Sequence, residues 1–198
     1  LLRDERHISE DLQERYLSIS LEKAERLEDL INEFFDIARF NLTDISLQYS
    51  KINLTRLLEQ LAYEFKPMLK EKNLTCNLQI PDDLMLRCDA NKIQRAFDNL
   101  LRNAVIYSYP DTEVNVTVVR QNDDVVIKFI NHGDTISKEN LERIFEQFYR
   151  LDISRSTSSG GAGLGLAISK RIIELHHGTI TASSENDLIE FTVTLPAS

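Results

Sequence analysis

Six glycines occur in the sequence, none before Gly133, and Gly160, Gly161, Gly163 and Gly165 crowd into GGAGLGLAIS at 160–169. That run leads straight into helical spacing. Backbone N–H groups at a helix N-terminus, free of Cβ crowding, make a site for phosphate oxygens. Gly-Lys-Ser/Thr is missing and no strand precedes the run, so it is neither a Walker loop nor a Rossmann fingerprint. By itself it also reads as a hinge.

Asn99 and Asn103 in DNLLRNAVIYS (98–108) are four apart and share one helical face, with Leu100, Leu101, Ala104 and Val105 on the apolar side. Two carboxamides projecting together offer oxygens to Mg²⁺, which keeps some waters and completes its shell from substrate phosphates. Solvated or capping asparagines are the plainer alternative. INHG (130–133) ends a strand, which makes Asn131 a candidate for hydrogen-bonding a base edge and Gly133 for close approach, or else marks an ordinary turn. Phe145 and Phe148 in IFEQFYR (144–150) stand one helical turn apart, the spacing of core packing.

The elements that must position these groups are legible from periodicity. From Ser9 to about Phe40, Leu17, Leu21, Ala24, Leu27, Ile31, Phe34 and Ala38 recur at threes and fours, predicting a bundle or coiled-coil helix that needs a partner. Residues 41–52 break the pattern and read as a connector. Asn53 caps a predicted helix to about Lys72, kinked at Pro67. TCNLQI (75–80) and LMLRC (84–88) alternate as strands around Pro81-Asp82-Asp83. Asp89 caps a helix through Tyr107; EVNVTVVR and VVIKFI form a hairpin; Ser137 caps a helix to about Tyr149; and residues 152–163 form a mobile loop. A helix from Gly165 stopped by Gly178 and a last hairpin, TITASS with IEFTVTL, complete the order. That order predicts a two-layer α/β sandwich, a mixed, largely antiparallel sheet with helices on one face.

Composition narrows the class. The 198 residues include 23 Lys plus Arg against 32 Asp plus Glu, a net charge of -9 that repels a phosphate backbone and argues against nucleic acid as a partner. Cys76 and Cys88 are too few for a disulfide framework and sit in no Cys-x-x-Cys pair, which points to reduced thiols and a cytosolic setting. No stretch reaches the roughly 18 apolar residues a membrane span needs, so no direct membrane contact is expected of this segment. Leu1 in place of Met is what a piece of a longer chain would show.

In this order and on these elements, the motifs resemble the ATP-binding catalytic domain of two-component sensor histidine kinases, which shares the Bergerat nucleotide fold with gyrase and heat-shock chaperones. DNLLRNA resembles the N box, INHG the first glycine box, IFEQFYR the F box and GAGLGLAIS the second glycine box. The resemblance covers residues 53–196, and residues 9–40 resemble the second helix of a dimerisation and phosphotransfer hairpin. It divides the chain into a partial hairpin at 1–40, a linker at 41–52 and the catalytic domain at 53–198. It implies ATP and Mg²⁺ as ligands, a response regulator as partner, homodimerisation through the hairpin in the parent protein, and a place on the cytoplasmic side of a membrane-anchored sensor. Under it, Asn103 with Asn99 holds Mg²⁺, Asn131 reads the adenine amino group, and Arg150 joins the two asparagines in catalysis. The rest of the ATP pocket falls to Tyr107, Gly133, Ile136, Phe145, Phe148, Arg155, Gly161, Gly163, Leu164, Gly165 and Leu166, with a lid closing between the last two boxes.

The chain departs from the family pattern at three positions. Asn131 stands where aspartate is usual, Thr135 where a second glycine is common, and Ile106 where a lysine or arginine often meets phosphate; low nucleotide affinity is expected unless Arg150 or Arg155 supplies the charge. Asn99 occupies the place of the glutamate that activates water in hydrolysing relatives, and an amide cannot act as that base, which favours phosphoryl transfer to a histidine. None of His7, His132, His176 and His177 has the acidic residue and nearby proline that accompany the family's acceptor. The expectation is ATP binding without autophosphorylation, the acceptor lying upstream. A nucleotide-gated interaction module and a hydrolysing or serine-directed relative stay open beside the kinase.

Overall fold

The computed structural model describes residues 12–21, 23, 24, 27, 31, 46–151 and 163–197. The chain divides into two compact units, Leu1–Leu42 and Thr43–Ser198. In the first, every described residue is helical, and Leu12, Tyr16, Leu17, Ile19, Leu21, Leu27 and Ile31 are exposed. The predicted turn and cap at His7 to Ser9 and the helix from residue 32 onward lie outside the described residues, as do residues 41–45 of the expected linker.

The second unit opens with a strand, β1 (Ser50–Asn53), at the end of the segment read as a connector. Asn53 then caps α1 (Leu54–Glu64), its side chain accepting from the Arg56 N–H. The expected break at Pro67 is a turn at Phe65 and a short α2 (Lys66–Glu71) with proline in its first turn, where the missing N–H costs nothing. Strands β2 (Thr75–Gln79) and β3 (Met85–Cys88) follow, but they do not pair with each other as their spacing invites. β3 pairs antiparallel with β1 as a separate two-stranded sheet, and β2 runs parallel to β4 (Glu113–Gln121). β4 and β5 (Asp124–His132) form the expected hairpin, as do β6 (Thr179–Glu185) and β7 (Leu188–Pro196). The five-stranded sheet has the order β2-β4-β5-β7-β6 and is antiparallel except at β2.

Between β3 and β4 runs α3 (Ala90–Tyr107), with Ile93, Ala96, Phe97, Leu100, Leu101, Ala104 and Val105 buried along one stripe. α4 (Lys138–Arg143) is capped by Ser137, and α5 (Gly165–Leu175) buries Ile168, Ser169, Ile172 and Ile173. Residues opposite one another across strands share a face. Val118, Ile127 and Val193 form one such row, and Val116, Phe129 and Phe191 the next, all buried. Phe97 of α3 meets Phe129 at 5.6 Å, and Phe145 meets Phe191 edge-on at 6.3 Å, which places α3 and the turn after α4 over this face. The architecture is the predicted two-layer α/β sandwich with a largely antiparallel sheet.

The helix predicted from Ser137 to Tyr149 ends at Arg143 instead. Residues 144–149 continue as turns, and Phe148 adopts φ +63° with its N–H donated to the Gly163 carbonyl at 2.9 Å. A long-range bond takes the donor a continued helix would have used. Phe145 and Phe148 are therefore not a stacked helical pair: Phe145 is half-buried, whereas Phe148 is 62% exposed.

Candidate functional site

Two helices carry the candidate site, and the residues that join them are among those the sequence singles out. On α3, Asn103 donates its Nδ2 to the Asn99 carbonyl at 2.8 Å, and Asn99 donates its own Nδ2 to the Gly165 carbonyl at 3.1 Å. The Ser169 hydroxyl, fully buried, lies 2.9 Å from the same Gly165 carbonyl and 3.1 Å from that of Ala96. A Cβ on Gly165 would stand 3.4 Å from the Asn99 amide, in ordinary van der Waals contact, so the start of α5 lies directly against α3. Each amide nitrogen holds a bond inside the chain, which leaves the side-chain oxygens of Asn99 and Asn103 as the acceptors the pair can offer a ligand. Amide oxygens suit a hard cation that takes the rest of its shell from water and phosphate, so the pair fits Mg²⁺. Among the described residues no group of three His, Cys, Asp or Glu offers another metal site.

No side chain caps α5, whose N-cap is the buried Leu164. The first N–H groups of this helix, with Gly165 and the half-buried Leu166 at its start, carry the positive end of the helix dipole and suit an anion. Gly163 precedes them at φ +77°, where a Cβ would stand 2.9 Å from the Tyr149 carbonyl and 3.1 Å from the Arg150 side chain. The backbone at 148–150 thus lies against Gly163, which brings the half-buried Arg150 to the start of α5. Phe148 enters this arrangement through its backbone, its ring standing out in solvent. Phe145 packs inward on Phe191, with the Lys170 ammonium 5.8 Å from its ring centre. Arg155, Gly161 and most of the predicted lid lie outside the described residues.

Asn131 sits in the third row of the sheet, between Val114 and Ile189, facing the helices as Phe129 and Ile127 do. It is 1% exposed, and its Nδ2 is buried without a hydrogen-bond partner among the described residues. A stranded donor of this kind costs about 1–3 kcal/mol, which a ligand that accepts from it would offset. Two residues on, Gly133 is indispensable: an added Cβ would fall 2.3 Å from the Tyr107 carbonyl at the end of α3. Tyr107 itself is 49% exposed, and the Tyr109 N–H donates to the His132 carbonyl at 2.8 Å, fastening the end of α3 to the end of β5.

The spacing of the motifs did not anticipate the bracing of the first glycine box by the β6–β7 turn. Gly133 donates its N–H to the Asp187 carbonyl at 2.9 Å, Thr135 Oγ1 accepts from the Asp187 N–H at 2.9 Å, and the Ile136 N–H donates to Ser184 Oγ at 2.9 Å. Thr135, a departure from the usual glycine, is thus a fastener here. The signal was present: Asn186-Asp187 between two strands is a turn pair tolerant of positive φ, and both residues adopt it, at 51° and 61°.

The family described as histidine kinase-, DNA gyrase B-, and HSP90-like ATPase matches residues 88–198, the span holding α3, β5 and α5. Over 196 residues the chain is 47% identical to sensor protein VanSC of Enterococcus gallinarum, covering 99% of this chain and 54% of that one. It is 44% identical over 187 residues to sensor protein VanS of Enterococcus faecium, covering 94% and 48%. The chain therefore spans about half the length of these curated relatives. In the solved structure of histidine kinase ThkA in complex with response regulator protein TrrA, 55% of that chain aligns with 100% of this one at 22% identity and a TM-score of 0.78, a likeness of fold alone. The asparagine pair, the uncapped helix and the β5 terminus lie within the matched span, and the chain belongs to the histidine kinase-, DNA gyrase B-, and HSP90-like ATPase family.

Proposed function

We propose that this chain binds Mg²⁺-ATP between α3 and α5 and passes the γ-phosphoryl group to a histidine supplied by another segment or chain, for relay to a response regulator aspartate. The observation that carries the reading is the Asn99 Nδ2 bond to the Gly165 carbonyl, which makes one site of the amide pair and the helix N-terminus. Asn103 and Asn99 turn their oxygens toward Mg²⁺, which when bound neutralises charge on the phosphates. The α5 N-terminus, from Gly163 through Leu166, receives phosphate oxygens, with Arg150 as the cation in place of one missing at Ile106. Asn131 meets the base edge, with Gly133 and Ile136 beside it, and Tyr107 and Phe145 line the approach. Phe148, Arg155 and Gly161 complete the ATP-binding set. Catalysis of this kind is positioning and charge stabilisation, and Asn99 lacks the basicity to activate water.

None of the chain's own histidines serves as acceptor. Both ring nitrogens of the buried His176 are engaged, Nδ1 donating to the Ile172 carbonyl at 2.8 Å and Nε2 accepting from the Asp89 N–H at 3.0 Å. His177 is held at φ +60° at the end of α5, His132 ends a central strand, and His7 lies outside the described residues. In the parent protein the reading extends to a cytoplasmic position in a membrane-anchored dimer and to control of vancomycin resistance, on the strength of the identity with VanSC and VanS. The test is incubation with labelled ATP, Mg²⁺ and a separate acceptor hairpin. Label on the hairpin, lost in Asn103→Asp, is expected; stable label on His7 contradicts the assignment of the acceptor, and nucleotide binding without any transfer favours the nucleotide-gated module.

A further inference from the structure

We propose that the Asn131 amide makes this pocket nearly indifferent to the group at the purine 6-position, so that it takes 6-keto purine nucleotides about as well as adenine nucleotides. The inference rests on the assignment of Asn131 as the base contact. An ionised carboxylate at this place only accepts, and so demands a donor such as the 6-amino group of adenine. An amide carries both functions on one side chain. Its oxygen accepts from the 6-amino group while its nitrogen donates to N1; turned over, the nitrogen donates to a 6-keto oxygen while the oxygen accepts from N1–H. Either base edge therefore meets two complementary bonds.

The surroundings leave that choice open. Asn131 Nδ2 is buried with no hydrogen-bond partner among the described residues, so no bond at that end commits the amide to one orientation. Its neighbours in the row, Val114 and Ile189, are apolar and impose no hydrogen-bond preference. The buried polar or charged residues besides Asn131, among those described, are Thr55, Asp89, Ser108, Ser169 and His176. Asp89, the one carboxylate among them, caps the N-terminus of α3, an 18-residue helix whose other end meets the base side, about 27 Å away at 1.5 Å per residue. Ser108 donates its hydroxyl to the Ala104 carbonyl, and Ser169 belongs to the α3–α5 junction. Among the described residues, no second buried carboxylate restores selectivity for the amino group.

The test is equilibrium titration of the chain, with Mg²⁺ present, against ATP, inosine triphosphate and GTP. Inosine triphosphate isolates the 6-position, because it lacks the 2-amino group of guanine. The proposal expects its Kd within about tenfold of that for ATP. Asn131→Asp should open that ratio by at least about tenfold in favour of ATP, with a circular-dichroism melt verifying that the variant is folded. Inosine triphosphate binding more than about tenfold weaker than ATP to the unaltered chain would overturn the proposal and leave the nucleotide site standing. Failure of all three nucleotides to bind would overturn the nucleotide site as well.

Discussion

At Gly133 the space for a side chain is already occupied by the Tyr107 carbonyl, 2.3 Å from where a Cβ would lie. Gly133→Ala must push β5 and α3 apart, and the expected loss is about 1–3 kcal/mol of stability, read from urea melts, together with weakened nucleotide binding. Gly165 has a Cβ position 3.4 Å from the Asn99 amide. Gly165→Val should displace that amide and lower the Mg²⁺-dependent part of ATP binding with a smaller effect on the melt. Some of this was legible in the sequence: a four-residue interval places Asn99 and Asn103 on one face whatever the fold, because helix geometry is local. Which partner Asn99 would bind was not legible, since Gly165 is 66 residues away. The solitary state of Asn131 was equally hidden, because it depends on Val114 and Ile189 being its neighbours in the row.

The two ends of α3 are held by different devices. Asp89 caps the first turn, its Oδ1 accepting from the Lys92 N–H at 3.2 Å, and this cap was evident from the sequence. The far end is held by Lys72, whose ammonium donates to the carbonyls of Val105, Ile106 and Ser108. Burial pulls the Lys72 pKa down from its ordinary value, but the carbonyls at a helix C-terminus are where a cation is favoured. Lys72→Met leaves them without this donor, and thermal melts should show a loss of about 1–2 kcal/mol, with fraying of the α3 turn next to Asn103. No local pattern marks Lys72 for this task. The same limit explains the mispaired expectation for β2 and β3: a Pro81-Asp82-Asp83 turn between two alternating runs reads as a hairpin, whereas the actual partners, β4 and β1, are set by tertiary packing. It also explains the short α4, which ends because the Phe148 N–H bonds to the Gly163 carbonyl, far along the chain.

Across the whole of the second unit, His176 ties the end of α5 to the start of α3 and to the incoming chain. Its Nε2 accepts from the Asp89 N–H, Asp89 Oδ2 accepts from the Gln48 N–H at 3.0 Å, and the Tyr49 ring meets the imidazole edge-on at 5.5 Å. Burial lowers the His176 pKa below 6.5 and outweighs the opposing pulls of the Ile172 carbonyl and the Asp89 carboxylate, while His177 and Lys92 push the same way as burial. The unfolded chain therefore takes up this proton at a higher pH than the folded one. The contribution of neutral His176 is fully present above about pH 6.5 and is lost as pH falls below that toward the lowered folded value. Melting temperature should accordingly drop more steeply between about pH 6.5 and 5 in the wild type than in His176→Gln, which keeps an acceptor and does not titrate. The Cys88 thiol, pushed up to about 12 by burial and the Asp89 carboxylate, should resist alkylation in the folded protein. The sandwich that frames these groups was legible because strand alternation and helical spacing are strong signals, whereas the cluster at His176 joins residues far apart in sequence. The account turns on α3 and α5 forming one Mg²⁺-nucleotide site, and calorimetric titration of ATP with and without Mg²⁺, on the wild type and on Asn103→Ala, tests it most directly. The account predicts that Mg²⁺ tightens ATP binding to the wild type and that Asn103→Ala abolishes most of that gain; equal Mg²⁺ dependence in the two proteins would contradict it.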